Sequence, residues 1–196
     1  VDGHPAHESP ITDSFQGDLD PSLSSAGDRL VFTSTRSGDR LVWIARLDGT
    51  DARQITDFGS MSWAPYIHPS GQYVIFASNK LGFENFELFM VDIDGKKEPV
   101  RVTYSDGFDG LPVPSPDGRQ LAFSGPLGEV RVVSASGGTA RTIANRTSGA
   151  PTALAWQPSG KVIAFFTGGQ DPLDDTFAIA TVRPDAKAFP EFDENL

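Results

Sequence analysis

Residues 112–124 read PVPSPDGRQLAFS, and the chain repeats this pattern in three other places. The other copies are PSLSSAGDRLVFT at 21–33, PYIHPSGQYVIFA at 65–77 and LAWQPSGKVIAFF at 154–166. In each copy a glycine is followed five residues later by a phenylalanine, and successive glycines are 44, 47 and 42 residues apart. Self-similarity at such a period indicates a repeat architecture.

Each repeat predicts four short strands. In the first copy the β-prone runs are PSLS, RLVFTS, LVWIARL and RQIT, and the turn-forming stretches SAGD, TRSGDR and DGTD separate them. No window of eleven residues has helical spacing of apolar residues. We therefore expect an all-β fold, a β-propeller of four four-stranded antiparallel blades per chain, with the repeated phenylalanines buried between blades. The alternative is a partial propeller that another chain or a further segment completes.

The repeat spacing also predicts where the blades begin and end. They cover about residues 17–58, 61–104, 107–146 and 149–186. Thr12 lies 15 residues before Gly27, as Thr56 and Thr103 lie 15 residues before the next two turn glycines. Residues 11–15 are therefore predicted to be a closing outer strand, which completes the last blade of the same chain or of a second copy. Residues 1–10 are predicted to be a flexible N-terminal tail, and residues 187–196 a C-terminal tail.

Composition excludes several classes of function. A net charge of −10 and a pI near 4.6 disfavour binding to nucleic acid or to anionic membranes. No apolar run approaches the roughly 18 residues that a membrane span needs. The chain has no cysteine, which excludes disulfides, thiolate metal sites and a cysteine nucleophile. Because the chain begins at Val1 and its first methionine is Met61, we expect a processed mature form or an excised piece.

Catalytic and metal-binding motifs are weak. There is no G-x-S-x-G segment, and the three histidines are His4, His7 and His68, so no catalytic residue is assigned. The stretch DGHPAHE gathers two histidines and two carboxylates that could ligate zinc, but it lies at a proline-flanked terminus where a solvated tail is favoured. No metal ligand is assigned there. His68 ends a first strand and is predicted to stabilise a turn through hydrogen bonds.

The segments that enter the first strand of each blade are the candidate binding site. In a propeller these segments converge at the central channel, although they are distant in sequence. The candidate residues at the channel rim are Asp18, Asp20, Ser62, Trp63 and Asp109. This acidic rim could hold a divalent cation, a basic peptide or a sugar. Equally, the aspartates could accept backbone N–H groups and join adjacent blades.

A second candidate surface is the longest loop insertion, NKLGFENFE at residues 79–87. Loops on a rigid scaffold commonly carry recognition, and aromatic residues are enriched among those that dominate binding energy. Phe83, Phe86 and Phe108 are therefore predicted as anchors for a partner, together with Trp63 at the rim.

The stretch PSPDGRQLAFS, followed by a strand ending in DG and then by R-x-[I/V]-T, resembles the TolB-type, WD-like β-propeller repeat of bacterial envelope proteins. The resemblance extends over about residues 11–185 and weakens in the fourth copy. The segment WAPYIHPSGQYVIFASNKLGFENFELFMVDIDG also resembles repeats found beside zinc aminopeptidase domains in some secreted bacterial proteins. The resemblance implies a periplasmic or secreted protein. Relatives usually have six or seven blades, whereas this chain has four.

These observations favour a non-catalytic, TolB-like module that binds a protein or peptide partner in the bacterial envelope. We expect no cofactor, no nucleic acid and no membrane insertion, and a homodimer is one way to complete the propeller. The alternative is an enzyme acting on a peptide or polysaccharide: a metal-dependent hydrolase or lyase that uses the rim carboxylates, or the propeller domain of a secreted peptidase. Fold alone does not decide between them.

Overall fold

The computed structural model describes residues 9–145, 153–168 and 177–185, and all regular secondary structure in these residues is β. Blade 1 contains β1 (Asp18–Leu23), β2 (Arg29–Ser34), β3 (Leu41–Arg46) and β4 (Arg53–Gln54). Blade 2 contains β5 (Ser62–Ile67), β6 (Tyr73–Ser78), β7 (Glu87–Asp92) and β8 (Val100–Arg101). Blade 3 contains β9 (Gly110–Pro114), β10 (Gln120–Ser124), β11 (Val130–Ser134) and β12 (Arg141–Ala144). Blade 4 contains β13 (Leu154–Trp156), β14 (Ile163–Gly168) and β15 (Phe177–Val182).

Each blade is an antiparallel sheet whose strands follow chain order. Three sheets have four strands, and the described part of the fourth has three, in the order β13-β14-β15. The first strand of each blade also contacts the first strand of the next, since β1 contacts β5, β5 contacts β9 and β9 contacts β13. The predicted β-propeller fold is confirmed.

The repeated glycines form the turn between the first and second strand of every blade. Gly27, Gly71, Gly118 and Gly160 have φ angles of 69°, 70°, 71° and 71°. This left-handed conformation is strained for residues with a Cβ but not for glycine. The glycine spacing in the sequence therefore marks the same backbone turn four times.

Three of the four repeated phenylalanines are buried between neighbouring blades, as predicted, whereas Phe32 packs within blade 1. Phe76 is fully buried in a cluster with residues of blade 1, and Phe123 is fully buried with residues of blade 2. Phe165 packs in the same way against blade 3 and is 8% exposed. Burial of each ring contributes roughly 1.5–3 kcal/mol to stability.

Antiparallel strand order places five connecting loops on one face of the propeller. We call this surface the loop face; it comprises residues 35–40, 55–61, 79–86, 102–109 and 125–129. The four turn glycines lie at the opposite ends of the sheets. The loop face is also the side from which β1, β5 and β9 begin.

Residues 11–15 form no regular strand in the structure, and their role as a closing outer strand stays a prediction. These residues form no strand pairing with any described strand, and they lie against blade 1 instead of against β15. The Ile11 carbonyl oxygen lies 2.6 Å from the position that a Cβ on Gly49 would take. In blades 1 and 2, the residues at the corresponding repeat positions directly follow the outer strands β4 and β8. Each of these outer strands pairs with the third strand of its own sheet. No described strand holds residues 11–15 in that way.

No helix capable of crossing a bilayer occurs in the described parts of the chain. The predicted tails lie almost wholly outside the described residues, which begin at Ser9 and end at Asp185.

Candidate functional site

Residues in or beside the first strands of the four blades line a small open pocket of about 170 Å³, which we call the channel. Its lining is mostly proline and aliphatic: Asp20, Pro21, Ala64, Pro65, Tyr66, Leu111, Pro112, Val113, Ala153 and Leu154. Of the five predicted rim residues, Asp20 alone is among these lining residues. The lining of the described channel is therefore largely apolar, with Asp20 as its one carboxylate.

A strained backbone conformation recurs at the channel. Asp20, Ala64 and Leu111 occupy equivalent positions before a proline and have φ angles of 52°, 49° and 52°. At each of them the pairing between the first and second strand shifts register, which is a β-bulge. Such a conformation costs of order 1–3 kcal/mol for a residue other than glycine. In the sequence, this conformation corresponds to a residue other than glycine that precedes a proline at the same position of three repeats.

Asp20 joins two blades. Its carboxylate accepts a hydrogen bond from the Thr33 hydroxyl at 3.0 Å and one from the Ala64 backbone N–H at 3.4 Å. Thr33 belongs to blade 1 and Ala64 to blade 2. This geometry corresponds to the alternative in which rim aspartates hold adjacent blades together.

The Asp18 carboxylate forms an ion pair with Arg36. The guanidinium of Arg36 donates to the Asp18 carboxylate at 2.8 Å and lies over the rings of Phe32 and Trp43, with its Cζ 5.3 and 4.7 Å from the two ring centroids. Desolvation acts to raise the pKa of Asp18, but hydrogen bonds from Ser34, Thr12 and Arg36 outweigh it and lower the pKa below 3.8. Asp18 is therefore paired within blade 1, and it is not among the residues that line the channel.

Asp109 is fully buried and is held in a similar way. It accepts a hydrogen bond from the Ser105 hydroxyl at 2.6 Å and forms an ion pair with Arg131 at 3.3 Å. Burial raises the pKa of Asp109 above 3.8, and these polar contacts only partly offset the effect. The Arg131 Cζ lies 5.6 Å from the ring centroid of Phe123, so the arrangement repeats that of Arg36 in blade 1.

Glu87 is a buried acid that the sequence analysis did not identify. Its carboxylate accepts hydrogen bonds from Thr103 and Arg101, and its side chain is fully buried. Burial, together with the negative charge of Asp109, raises the pKa of Glu87 above 4.5 despite these bonds. Because its sequence context is an ordinary strand start, no motif distinguishes Glu87 from an exposed glutamate.

Ser62 and Trp63 are placed away from the channel. Ser62 is fully buried and donates to the Ser78 hydroxyl at 3.2 Å within blade 2. Trp63 forms a compact cluster with Phe86 and Phe108, with ring centroids between 5.6 and 6.1 Å apart. Phe86 and Phe108 are themselves joined by a parallel backbone bridge. Two of the three predicted anchors are thus partly buried and connect the loops before β7 and β9.

Phe83, the third predicted anchor, projects from the loop face and is 82% exposed. It lines an open cleft of about 610 Å³ with Glu84, Asn85 and Asp106. Tyr104 and Leu127, on the next two loops, are 67% and 73% exposed. Neither residue was predicted as an anchor; the available signal was a large apolar or aromatic residue within a turn-rich stretch between predicted strands.

Comparison with known proteins decides the family. The family described as "TolB beta propeller domain" matches residues 1–189 of this chain. The chain belongs to the TolB beta propeller domain family. The resemblance noted from the repeat motif is therefore confirmed over nearly the whole sequence.

Individual relatives agree with this assignment. The protein TolB homolog of Chlorobium chlorochromatii is 27% identical over 157 residues, covering 58% of this chain and 36% of the relative. The crystal structure of TolB from Acinetobacter baumannii superimposes with a TM-score of 0.67 at 18% identity, covering 87% of this chain and 44% of that structure. An oligogalacturonate lyase in complex with manganese gives 0.66 at 16% identity, covering 88% of this chain and 50% of the lyase. These structural likenesses show the fold alone, and the chain spans half or less of each of these proteins.

The TolB-type propeller contains no group of three or more His, Asp or Glu side chains positioned to hold a metal ion within its described residues. The histidine-containing stretch at residues 2–8 lies outside them. The described carboxylates that sequence analysis placed at the rim instead bond to Arg36, to Arg131 and to the Ala64 backbone.

Proposed function

We propose that this TolB-type propeller is a non-catalytic module that binds a protein or peptide partner through its loop face. The observation that carries the proposal is the exposure of Phe83, Tyr104 and Leu127 on three successive loops of a rigid sheet scaffold. Large exposed side chains, aromatic ones above all, are the usual anchors of protein interfaces. The membership in the TolB beta propeller domain family supports the same class of function.

Contacts with the neighbouring Arg101 hold the Tyr104 ring in place. The Arg101 Cζ lies 4.4 Å from the Tyr104 ring centroid, and the Tyr104 hydroxyl donates to the Arg101 carbonyl at 3.3 Å. Ordering the ring before binding lowers the entropy lost on association. The Trp63, Phe86 and Phe108 cluster supports the adjacent loop that carries Phe83, so we assign these three rings a positioning role.

The charge of the loop face indicates the chemistry of the partner. Its loops expose four carboxylates, on Asp39, Asp57, Glu84 and Asp106, and one ammonium group, on Lys80. The chain as a whole has a net charge of −10. A partner segment with basic and aromatic side chains matches this surface, because opposite charges favour both encounter and orientation.

We place the protein in the periplasm or outside the cell, in agreement with the TolB-type family resemblance of its repeats. We also propose that it uses no cofactor, and that a second copy completes the propeller.

The enzyme alternative has weaker support. It rests on the fold likeness to the oligogalacturonate lyase, at 16% identity. Asp18 and Asp109, which would have supplied carboxylates to a cation, each form an ion pair with an arginine. Binding of a divalent ion at the rim would require both pairs to break, which disfavours a metal-dependent lyase.

The proposal is tested by selecting binders from a displayed library of random peptides. We expect selected peptides to be rich in Arg or Lys and aromatic residues, and to lose at least tenfold in affinity against Phe83→Ala or Tyr104→Ala. Val100→Ala, at a 63% exposed apolar position on an outer strand, is the matched control and should bind normally. Peptides that bind all three variants equally would place the binding surface elsewhere.

A further inference from the structure

Three aromatic rings complete the interface between blades 1 and 2. Phe58, which follows the outer strand of blade 1, stacks on Phe76 of blade 2 with ring centroids 6.0 Å apart. Phe89 stacks on the same ring at 6.1 Å and lies 6.5 Å from the ring of Phe58. The ammonium group of Lys80 lies over Phe58, 4.5 Å from its ring centroid. An aromatic ring after β4 thus fills the space between these two blades.

Ser105 takes the place of Phe58 in the next interface, between blades 2 and 3. Each of the two follows by two residues a threonine whose hydroxyl accepts a backbone hydrogen bond from the third strand of its own sheet. These threonines are Thr56 in blade 1 and Thr103 in blade 2. A hydroxymethyl group therefore lies after β8, where a phenyl ring lies after β4.

Arg131 takes the place of Phe89 in the same interface. It pairs across two strands with Phe123, as Phe89 pairs with Phe76 in blade 2. Its Cζ lies 5.6 Å from the Phe123 ring centroid, and its guanidinium forms the ion pair with Asp109. In the part of the chain that the structure describes, no group accepts a hydrogen bond from the buried Nε–H of Arg131. The charge of Arg131 is therefore balanced, whereas one of its donors is unpaired.

A pocket of about 310 Å³ accompanies these two replacements, and we call it the interblade pocket. It is lined by Tyr104, Ser105, Asp109, Arg131 and residues 138–140, which come from blades 2 and 3 and the loops beside them. A protein cavity of about 150 Å³ is large enough to bind benzene. The interblade pocket therefore has room for one aromatic ring with a substituent.

The charges around the interblade pocket favour a neutral ligand. Arg131 and Asp109 already neutralise each other at 3.3 Å. Burial and, to a smaller extent, the charge of Glu129 raise the pKa of Asp109, so an added anion would meet two nearby carboxylates. An added cation would meet Arg131. A neutral aromatic ring avoids both costs, and a guanidinium attracts the face of such a ring.

We propose that the interblade pocket binds a neutral phenol ring, either a free phenol or the side chain of a tyrosine, against the guanidinium of Arg131. The phenol oxygen accepts a hydrogen bond from the Arg131 Nε–H, whereas a plain phenyl ring would leave this buried donor unpaired. Tyr104 and Ser105 belong to the loop face, so a tyrosine of a bound partner can enter the pocket from that surface. In that form the inference rests on the proposed function and names one side chain of the partner.

Titration with p-cresol, which is the tyrosine side chain as a free molecule, tests the pocket without any partner. We expect saturable changes in the nuclear magnetic resonance signals of the backbone amides at 104–109, 131 and 138–140. Thr139→Phe places a ring in the pocket and should weaken p-cresol binding by about tenfold or more. Lys97→Phe is the matched control and should bind p-cresol normally. Lys97 and Thr139 each lie two residues after the glycine that ends a third strand's turn, Gly95 in blade 2 and Gly137 in blade 3.

Ser105→Phe is a second blocking variant, because it restores the ring that Phe58 supplies in the previous interface. Circular dichroism establishes that each variant folds, and the two blocking variants change different loops, so the test does not depend on either one alone. A p-cresol affinity that is the same for the unmodified protein, Thr139→Phe and Lys97→Phe overturns the proposal. So does the absence of any saturable signal change with p-cresol.

Two blocked amino acids distinguish the sources of the ring. N-acetyltyrosinamide should bind more tightly than N-acetylphenylalaninamide, because the phenylalanine ring offers no oxygen to Arg131. Binding of both p-cresol and N-acetyltyrosinamide supports a partner's tyrosine, and binding of p-cresol alone supports a free phenol. Equal binding of the two blocked amino acids overturns the role given to the Arg131 Nε–H. Failure of p-cresol to bind leaves the peptide selection through Phe83 untouched, and failure of that selection leaves the p-cresol result untouched.

Discussion

The Nε2 atom of His68 lies 2.8 Å from the carbonyl oxygen of Gly118, and this contact joins the glycine turn of blade 2 to that of blade 3. The other ring nitrogen, Nδ1, accepts from the Ser70 backbone N–H at 3.1 Å, so the proton lies on Nε2 and is donated to Gly118. The sequence-based prediction that His68 stabilises a turn is confirmed. The His68 ring also links this turn of blade 2 to blade 3.

This contact predicts unequal effects of one substitution at two similar glycines. Gly27 and Gly118 have φ angles of 69° and 71°, so alanine at either position costs about 1–2 kcal/mol of backbone strain. A Cβ on Gly118 would also lie 2.6 Å from the His68 ring, whereas one on Gly27 meets nothing within 4 Å. We expect Gly118→Ala to lower the free energy of unfolding clearly more than Gly27→Ala in urea denaturation. Equal losses would mean that the His68 ring moves without cost.

The buried phenylalanines predict large packing losses. Phe76→Ala and Phe123→Ala each remove a fully buried ring, and we expect each to cost about 3–5 kcal/mol in unfolding free energy. Phe83→Ala, which removes an 82% exposed ring, is the matched control and should leave stability within about 0.5 kcal/mol. A loss below about 1 kcal/mol for both buried positions would contradict the packing of the blades.

The ion pair of Asp109 with Arg131 predicts a structural effect where the sequence alone suggested ligand binding. Asp109→Ala leaves a mostly buried guanidinium without its carboxylate, and we expect a loss of about 3–5 kcal/mol. Asp185→Ala breaks an ion pair of 3.0 Å with Arg183 in which both side chains are at least 70% exposed. That control should show no measurable change by thermal denaturation. Similar melting temperatures for both variants would count against a stabilising role for Asp109.

Glu87 predicts a pH dependence of stability with a definite sign. Burial raises its pKa in the folded state above 4.5, so the native chain holds a proton that the unfolded chain has already lost. The unfolding free energy should therefore fall as the pH rises from about 4.5 through the raised pKa. Asp109 contributes in the same direction, whereas the lowered pKa of Asp18 acts below pH 3.8. We expect Glu87→Gln to make the unfolding free energy fall less steeply with rising pH, as measured by urea denaturation at a series of pH values. An unchanged dependence on pH would contradict this prediction.

Local, periodic features of the fold were predictable from the sequence. The spacing of Gly27, Gly71, Gly118 and Gly160 predicted four equivalent turns, because a left-handed turn restricts residue choice strongly. The burial of Phe76 and Phe123 followed from their constant distance to those glycines. Both depend on the repeat itself, which the sequence displays directly.

The candidate site was less predictable because it depends on contacts between strands. The sequence placed Asp18 and Asp109 near the channel, but it does not show that Arg36, in the loop after β2, and Arg131, on β11, pair with them. The exposure of Tyr104 on the loop face likewise depends on how the loop after β8 is oriented, since a tyrosine in a turn-rich stretch can be buried or exposed. The position of Thr12 predicted an outer strand at residues 11–15, yet the partner of such a strand is not determined by its own residues.

Hydrogen–deuterium exchange in the presence of a selected peptide tests the central claim, that the loop face is the binding surface, most directly. The account predicts slower exchange in residues 79–86 and 102–109, the loops that carry Phe83 and Tyr104, with little change in the channel segments at 18–22 and 62–66. The same pattern should be absent with Phe83→Ala at equal peptide concentration. Slower exchange confined to the channel segments would contradict the account and would place the ligand in the channel.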